Sequence, residues 1–295
     1  MDLKIEKVKE SRIKEVDFSK LSFGRTFADH MFICEYKDGK WQNPTIKPYG
    51  ALSLEPSASV FHYGQAVFEG MKAYKDDNGH VFLFRPQENY KRINKSCERL
   101  AMPAFPEEWF DKALRTLVDI DSEWIKPGFG NALYLRPFVI ATTPGVQASP
   151  AKDYLFIIIT APVQSYYSGD VRVKIADYYS RAANGGFGFA KAAGNYAGQF
   201  YPTQQAAAEG YQQVMWTDDA THQYLEEAGT MNLWFRLGDT LVTCPTSERI
   251  LDGVTRKSII AVAEKLGIKT EIRPVKVTEL IEAAENGTLK EAFGC

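Results

Sequence analysis

The chain has 295 residues, of which 45% are hydrophobic and 24% charged, enough for one large globular domain or two medium ones. Its formal net charge of −2 leaves no face-wide excess of Lys and Arg, which argues against a nucleic-acid binder working through bulk charge. The opening MDLKIEKVKESRIKEVDF is charged throughout and does not read as a signal peptide, and the longest apolar run, Tyr154 to Val163, is half of what a membrane helix requires.

In chain order, Met31 to Tyr36 reads as a strand turned by Lys37-Asp-Gly-Lys40. A second hairpin sets Met71 to Tyr74 against Val81 to Phe84 around Asp76-Asp-Asn-Gly79. Pro86 opens a helix whose apolar residues Tyr90, Ile93, Cys97 and Leu100 recur at helical spacing. The next helix starts near Pro106-Glu-Glu108 and carries Trp109, Phe110, Ala113, Leu114, Leu117 and Val118 on one side. Two strong strands follow, Ala132 to Ala141 and Tyr154 to Val163, so this half is α+β with hairpins. Gln164 to Asp170 breaks the pattern and is the candidate linker.

Beyond it, Val171 to Ala176 reads as a strand and Thr203 to Glu209 as part of a helix ending at Gly210. Short strands are expected at Gln213 to Trp216, Asn232 to Phe235 and Thr240 to Thr243. The helix after Gly253 is expected to bury Ile259, Ile260, Ala263 and Leu266 and to stop at Gly267. Two α/β domains with a cleft between them fit this order. Cys34, Cys97, Cys244 and Cys295 are widely spaced and the four histidines are scattered, so no metal site is expected. The cysteines read as reduced thiols of a cytoplasmic protein.

Chemistry concentrates in four places. Lys191 is the lone amine in NGGFGFAKAAGNYAG, where small neighbours admit a flat cofactor and partial desolvation favours a neutral nucleophile. A surface lysine in a flexible loop is the alternative. Glu227, opening EAGTMN, suits a protonated pyridine nitrogen, the pairing that pyridoxal phosphate needs. A solvated strand end is the alternative, and the adjacent Glu226 fits that description. Ile250-Leu-Asp-Gly-Val-Thr-Arg-Lys257 is a tight turn feeding a helix, and the N–H groups of Val254 and Thr255 with the Thr255 hydroxyl suit a phosphate dianion. Arg92 could add a cation, or be an exposed helical arginine. Arg136 sits within an apolar strand, a costly place unless it is ion-paired or faces a cavity where it meets a substrate carboxylate.

Together FGRTFADHM, HYGQAVFEGMKAY, LYLRPF, KAAGNY, EEAGTMN and ILDGVTRKS resemble the branched-chain-amino-acid aminotransferases of fold type IV of the pyridoxal phosphate (PLP) enzymes, nearly continuously from Phe23 to Phe293. The resemblance implies a two-domain, mixed α/β fold like that of D-amino-acid aminotransferase, with the active site in the interdomain cleft. It places a smaller N-terminal domain over 1–168, including a linker at 164–168, and a larger cofactor-binding domain over 169–295. It implies that Lys191 is the Schiff-base lysine and proton carrier, that Glu227 pairs with the pyridine nitrogen, and that Tyr196 reaches the phenolic oxygen. Arg92, Gly253, Val254 and Thr255 would hold the phosphate, with Leu251 against the ring. Phe27, Tyr134, Tyr166 and Thr230 would wall the substrate pocket, Tyr63 and Val146 would enter it from a neighbouring subunit, and Arg136 would help it accept glutamate's side-chain carboxylate.

The implied reaction is transamination between leucine, isoleucine or valine and 2-oxoglutarate, in amino-acid biosynthesis, by a cytoplasmic homodimer. In the family, Phe-Gly near the end precedes a Gly-Thr-Ala loop and a further helix and strand, whereas this chain stops at Glu291-Ala-Phe-Gly-Cys295. The second domain is therefore expected to lack its C-terminal part, including a loop over the phosphate. The rival readings are a D-amino-acid aminotransferase or aminodeoxychorismate lyase of the same fold, and a PLP-binding dimer without turnover.

Overall fold

The computed structural model describes residues 2–164 and 169–295. Residues 165–168 of the expected linker, including Tyr166, lie outside the described residues. Two compact units, Met1–Ser168 and Gly169–Cys295, each carry one sheet, of eight strands among the described residues. No helix among the described residues is long and apolar enough to cross a membrane.

In the first unit the sheet runs Lys4–Ile5, Lys40–Pro48, His30–Lys37, Tyr154–Val163, Ala132–Ala141, Met71–Lys75, Val81–Leu83, with Ala66–Phe68 also on Ala132–Ala141. All pairs are antiparallel except the first. Side chains alternate across a strand. Leu133, Leu135, Val139 and Ala141 therefore join one core with Ile93 and Cys97 of helix Pro86–Arg99 and Phe110, Leu114 and Leu117 of helix Glu107–Ile120. Tyr134 and Arg136 take the opposite, half-buried face.

Pro137 cannot donate to a ladder, and the neighbouring strand is interrupted opposite it. Phe68 pairs with Phe138 and Met71 with Leu135, leaving Glu69 and Gly70 between. Gly70 is required there, because a Cβ would overlap the Tyr134 ring and hydroxyl. The N-terminal segment is tied to this unit through buried polar groups: Ser11 donates to Asp29, which also accepts from Trp124, and Val8 N–H donates to His30 Nε2 at 3.0 Å. His30 Nδ1 in turn lies 2.7 Å from Asp121 Oδ1.

The second sheet runs Thr270–Ile272, Thr240–Thr243, Met231–Leu237, Tyr224–Ala228, Gln213–Thr217, Val173–Ile175. Val275–Lys276 adds to Tyr224–Ala228 and Leu289–Gly294 to Met231–Leu237. Its core gathers Met215, Leu225, Leu233, Phe235, Val242, Ile250 and Val275. Helix Val254–Lys265 departs from expectation: Ala263 is buried, but Leu266 caps the helix and is 67% exposed. The expected helix at Thr203 begins earlier, as Phe200–Ala208. Cys34 and Cys97 lie in the first core and Cys244 in the second, and burial pushes each thiol up to about 12.

Candidate active site

Lys191 precedes the short helix Ala193–Ala197. The loop before it is fixed by Asn195, whose Nδ2 donates to the carbonyls of Phe187 and Ala190, both at 2.9 Å. Lys191 is half-buried, and its Nζ donates to the Tyr196 hydroxyl at 2.7 Å. This is an anchored amine, with its ammonium 5.0 Å from the centre of the Tyr196 ring.

Glu227 lies in strand Tyr224–Ala228 and is buried. Its Oε1 is 2.8 Å from Arg181 Nε, an ionic contact without hydrogen-bond alignment, and its Oε2 accepts the Leu251 N–H at 2.9 Å. Burial raises the Glu227 pKa above the ordinary carboxylate range, opposed by Arg181, the Leu251 N–H and the charge of Lys191. Arg181 also donates to the carbonyls of Arg249 (2.8 Å) and Gly188 (3.1 Å). It therefore ties the acid, the lysine loop and the turn before Leu251 to one buried guanidinium. Glu226 is not the solvated residue expected: it is buried and paired with Arg249. Burial raises its pKa, and Arg249 opposes the rise. Adjacent strand residues face opposite ways, so each glutamate has its own arginine.

Gly253 adopts extended backbone (φ −68°, ψ 132°) ahead of helix Val254–Lys265, and among the described residues no side chain caps that helix. Its first N–H groups, together with the helix dipole, are an anion-binding terminus. Val254 is buried, Thr255 exposed and Leu251 half-buried. Thr230 is exposed between strands Tyr224–Ala228 and Met231–Leu237, outside this hydrogen-bond set.

The remaining expected residues belong to the first unit. Arg92 is not an exposed helical arginine: its side chain is 11% exposed and grips the buried Glu69 through Nε (2.7 Å) and Nη2 (2.8 Å). Arg136 donates to the Tyr134 hydroxyl through Nε (3.1 Å) and Nη2 (2.8 Å), and its guanidinium lies 4.5 Å from the centre of the Phe68 ring. Phe27 stacks on Tyr49 at 4.8 Å. Tyr63 and Val146 meet through a hydroxyl-to-carbonyl hydrogen bond, and both are exposed.

The family model for amino-transferase class IV matches residues 66–286. The chain is 46% identical over 300 residues to branched-chain-amino-acid transaminase 1 of Bacillus subtilis, covering all of this chain and 84% of that protein. It is 44% identical to branched-chain-amino-acid aminotransferase 2 of the same organism, covering 94% and 78%. Its fold matches the branched-chain amino acid aminotransferase of Thermobaculum terrenum in its PLP form at a TM-score of 0.71 and 21% identity, covering 90% and 81%. The chain belongs to the class IV aminotransferases, in their branched-chain-amino-acid group.

Two buried residues of this aminotransferase escape a reading of the sequence, Arg181 and Asn232. Arg181 stands in SRAANGG with no apolar or spacing signal. Its role exists only once positions 188, 227 and 249 have folded around it. Asn232 closes the EEAGTMN segment, and an amide among the apolar Met231, Leu233 and Trp234 is the signal that could have singled it out, because a buried amide requires partners.

Proposed function

We propose that this aminotransferase moves an amino group reversibly between leucine, isoleucine or valine and 2-oxoglutarate, with pyridoxal 5'-phosphate at Lys191. The carrying observation is Lys191 on Tyr196 and a desolvated, arginine-paired Glu227 in one unit, in a chain 46% identical to a branched-chain-amino-acid transaminase. These residues fit the cofactor: an amine, a buried carboxylate and an uncapped helix N-terminus are the three groups it requires. When bound, PLP supplies an electron sink and the carbon that accepts and returns the amino group.

The chain's own residues do the rest. Lys191 carries the proton at the substrate Cα, and Tyr196 orients its amine. Glu227 holds a protonated ring nitrogen, while Arg181 favours the anionic carboxylate that this requires. The N–H groups of Val254 and Thr255 and the Thr255 hydroxyl bind phosphate beside Gly253, with Leu251 against the ring. Arg92 adds charge to that site, although Glu69 offsets part of it. Phe27, Tyr134 and Thr230 wall the pocket, and Arg136 takes the second carboxylate of glutamate. A homodimer gives Tyr63 and Val146 a pocket to enter, and their exposure supports that reading. We place the enzyme in the cytoplasm and in branched-chain amino-acid biosynthesis.

Lys191→Ala tests the assignment. The variant is expected to fold but to lose the visible absorption of lysine-bound cofactor. Its turnover should fall at least ~10²–10⁴-fold from the loss of proton transfer alone. Near-normal turnover overturns the assignment. A spectrum that responds to D-alanine and not to leucine would instead favour a D-amino-acid aminotransferase.

A further inference from the structure

The phosphate and the ring nitrogen of a bound cofactor are a fixed distance apart, so helix Val254–Lys265 and Glu227 must be set relative to each other. One hairpin does this. Glu227 and Asn232 are directly opposed across strands Tyr224–Ala228 and Met231–Leu237, and directly opposed side chains share a face of the sheet. Both reach Leu251. Glu227 Oε2 accepts its N–H at 2.9 Å, and Asn232 Nδ2 donates to its carbonyl at 2.9 Å.

Asn232 is itself held by its backbone. It is buried, and its backbone N–H and C=O pair with Cys295 at 2.9 and 3.0 Å. Its side-chain oxygen fills the space over Gly253, where a Cβ would overlap it. The Gly253 backbone is one that alanine adopts readily. The glycine is therefore demanded by Asn232 and not by the path of the chain.

We propose that Asn232 is a positioning residue for the cofactor. It holds Leu251 by the carbonyl while Glu227 holds it by the N–H, so that the acid and the phosphate-binding helix end form one rigid piece. This rests on the reading of Lys191, Glu227 and the helix N-terminus as the PLP site.

The test uses Asn232→Ala, Asn232→Asp (an ionised carboxylate cannot donate) and Gly253→Ala, which displaces the amide. Each is expected to weaken PLP binding roughly three- to tenfold, the worth of about one hydrogen bond, read from visible absorption on titration. In the cofactor-free protein, each should also speed amide exchange at Leu251 and over 252–254. Gly253→Ala added to Asn232→Ala is expected to cost less than about twofold more, because the clash partner is gone. Should Asn232→Ala not fold, Asn232→Asp and Gly253→Ala carry the same test.

Binding within about twofold of wild type with unchanged exchange overturns the positioning role. So do fully additive effects at 232 and 253, or a loss of thermal stability alone. A wild-type protein that shows no visible PLP absorption, or keeps it in Lys191→Ala, overturns the site reading and this proposal with it.

Discussion

Arg136 and Arg181 show how differently two sheltered guanidiniums can be employed. Arg181 is spent on Glu227 and two carbonyls. Arg136 is held by a neutral hydroxyl and aromatic faces, with no carboxylate partner among the described residues. The ion pair that would have made Arg136 structural is therefore not found, and its charge remains available for an incoming anion. Arg136→Ala should damage the glutamate half-reaction more than the leucine one, since only glutamate carries a second carboxylate. A charge-assisted contact is worth roughly 1.5–3 kcal/mol, so single-turnover rates should shift in ratio by about tenfold or more. Equal losses for both substrates would make Arg136 a packing residue.

Among the elements, strand Tyr224–Ala228 carries most of the consequence, and the turn leading into it is built on Asp218. This buried carboxylate accepts the N–H groups of Thr221, Gln223 and Tyr224 and the Thr221 hydroxyl, all at 2.8 Å. Burial alone would raise its pKa, but the hydrogen bonds outweigh it and bring the group down to about 2. The folded value lies below the unfolded one, so the stabilisation is present above about pH 4 and is lost as pH falls through 2. Asp218→Asn should cost about 2 kcal/mol at pH 7 and much less at pH 2. Denaturant unfolding at pH 7 and pH 2 checks this, and an equal loss at both would mean that ionisation is not involved.

The same strand marks where the sequence stops being readable. Ala132–Ala141 and Tyr154–Val163 are legible to the residue, because long apolar runs between turn signals leave few alternatives. Tyr224–Ala228 is not, since adjacent glutamates at buried positions contradict any apolar period until Arg181 and Arg249 arrive from distant loops. Helix Val277–Glu285 buries only Leu280 and Ala283, too few positions to establish a period. Lys191, Tyr196 and Glu227 are legible through their motifs, and the structure adds the Tyr196 contact and the burial of Glu227. The hold of Arg181 on Glu227 depends on contacts between remote segments and has no local trace, whereas Asn232, which holds Leu251, stands within the EEAGTMN segment.

For the molecule as a whole, two sheets with separate cores mean two bodies of buried apolar surface, each able to stabilise its own unit. The thiols divide the same way, with Cys34 and Cys97 in one core and Cys244 in the other. A thiol needs its thiolate form and access to react, and these three have neither while folded. Alkylation is therefore gated by opening of the surrounding core, and each cysteine becomes a local clock. In mild denaturant, peptide-resolved mass spectrometry should find Cys34 and Cys97 modified in step and Cys244 at its own rate. Unequal rates at Cys34 and Cys97 would show that the first core opens piecemeal. Bound PLP should slow Cys244 by mass action, and it should slow the other two as well if Arg92 shares the phosphate. Three inert sulfur atoms thus give a kinetic record of which part of the chain a ligand holds closed.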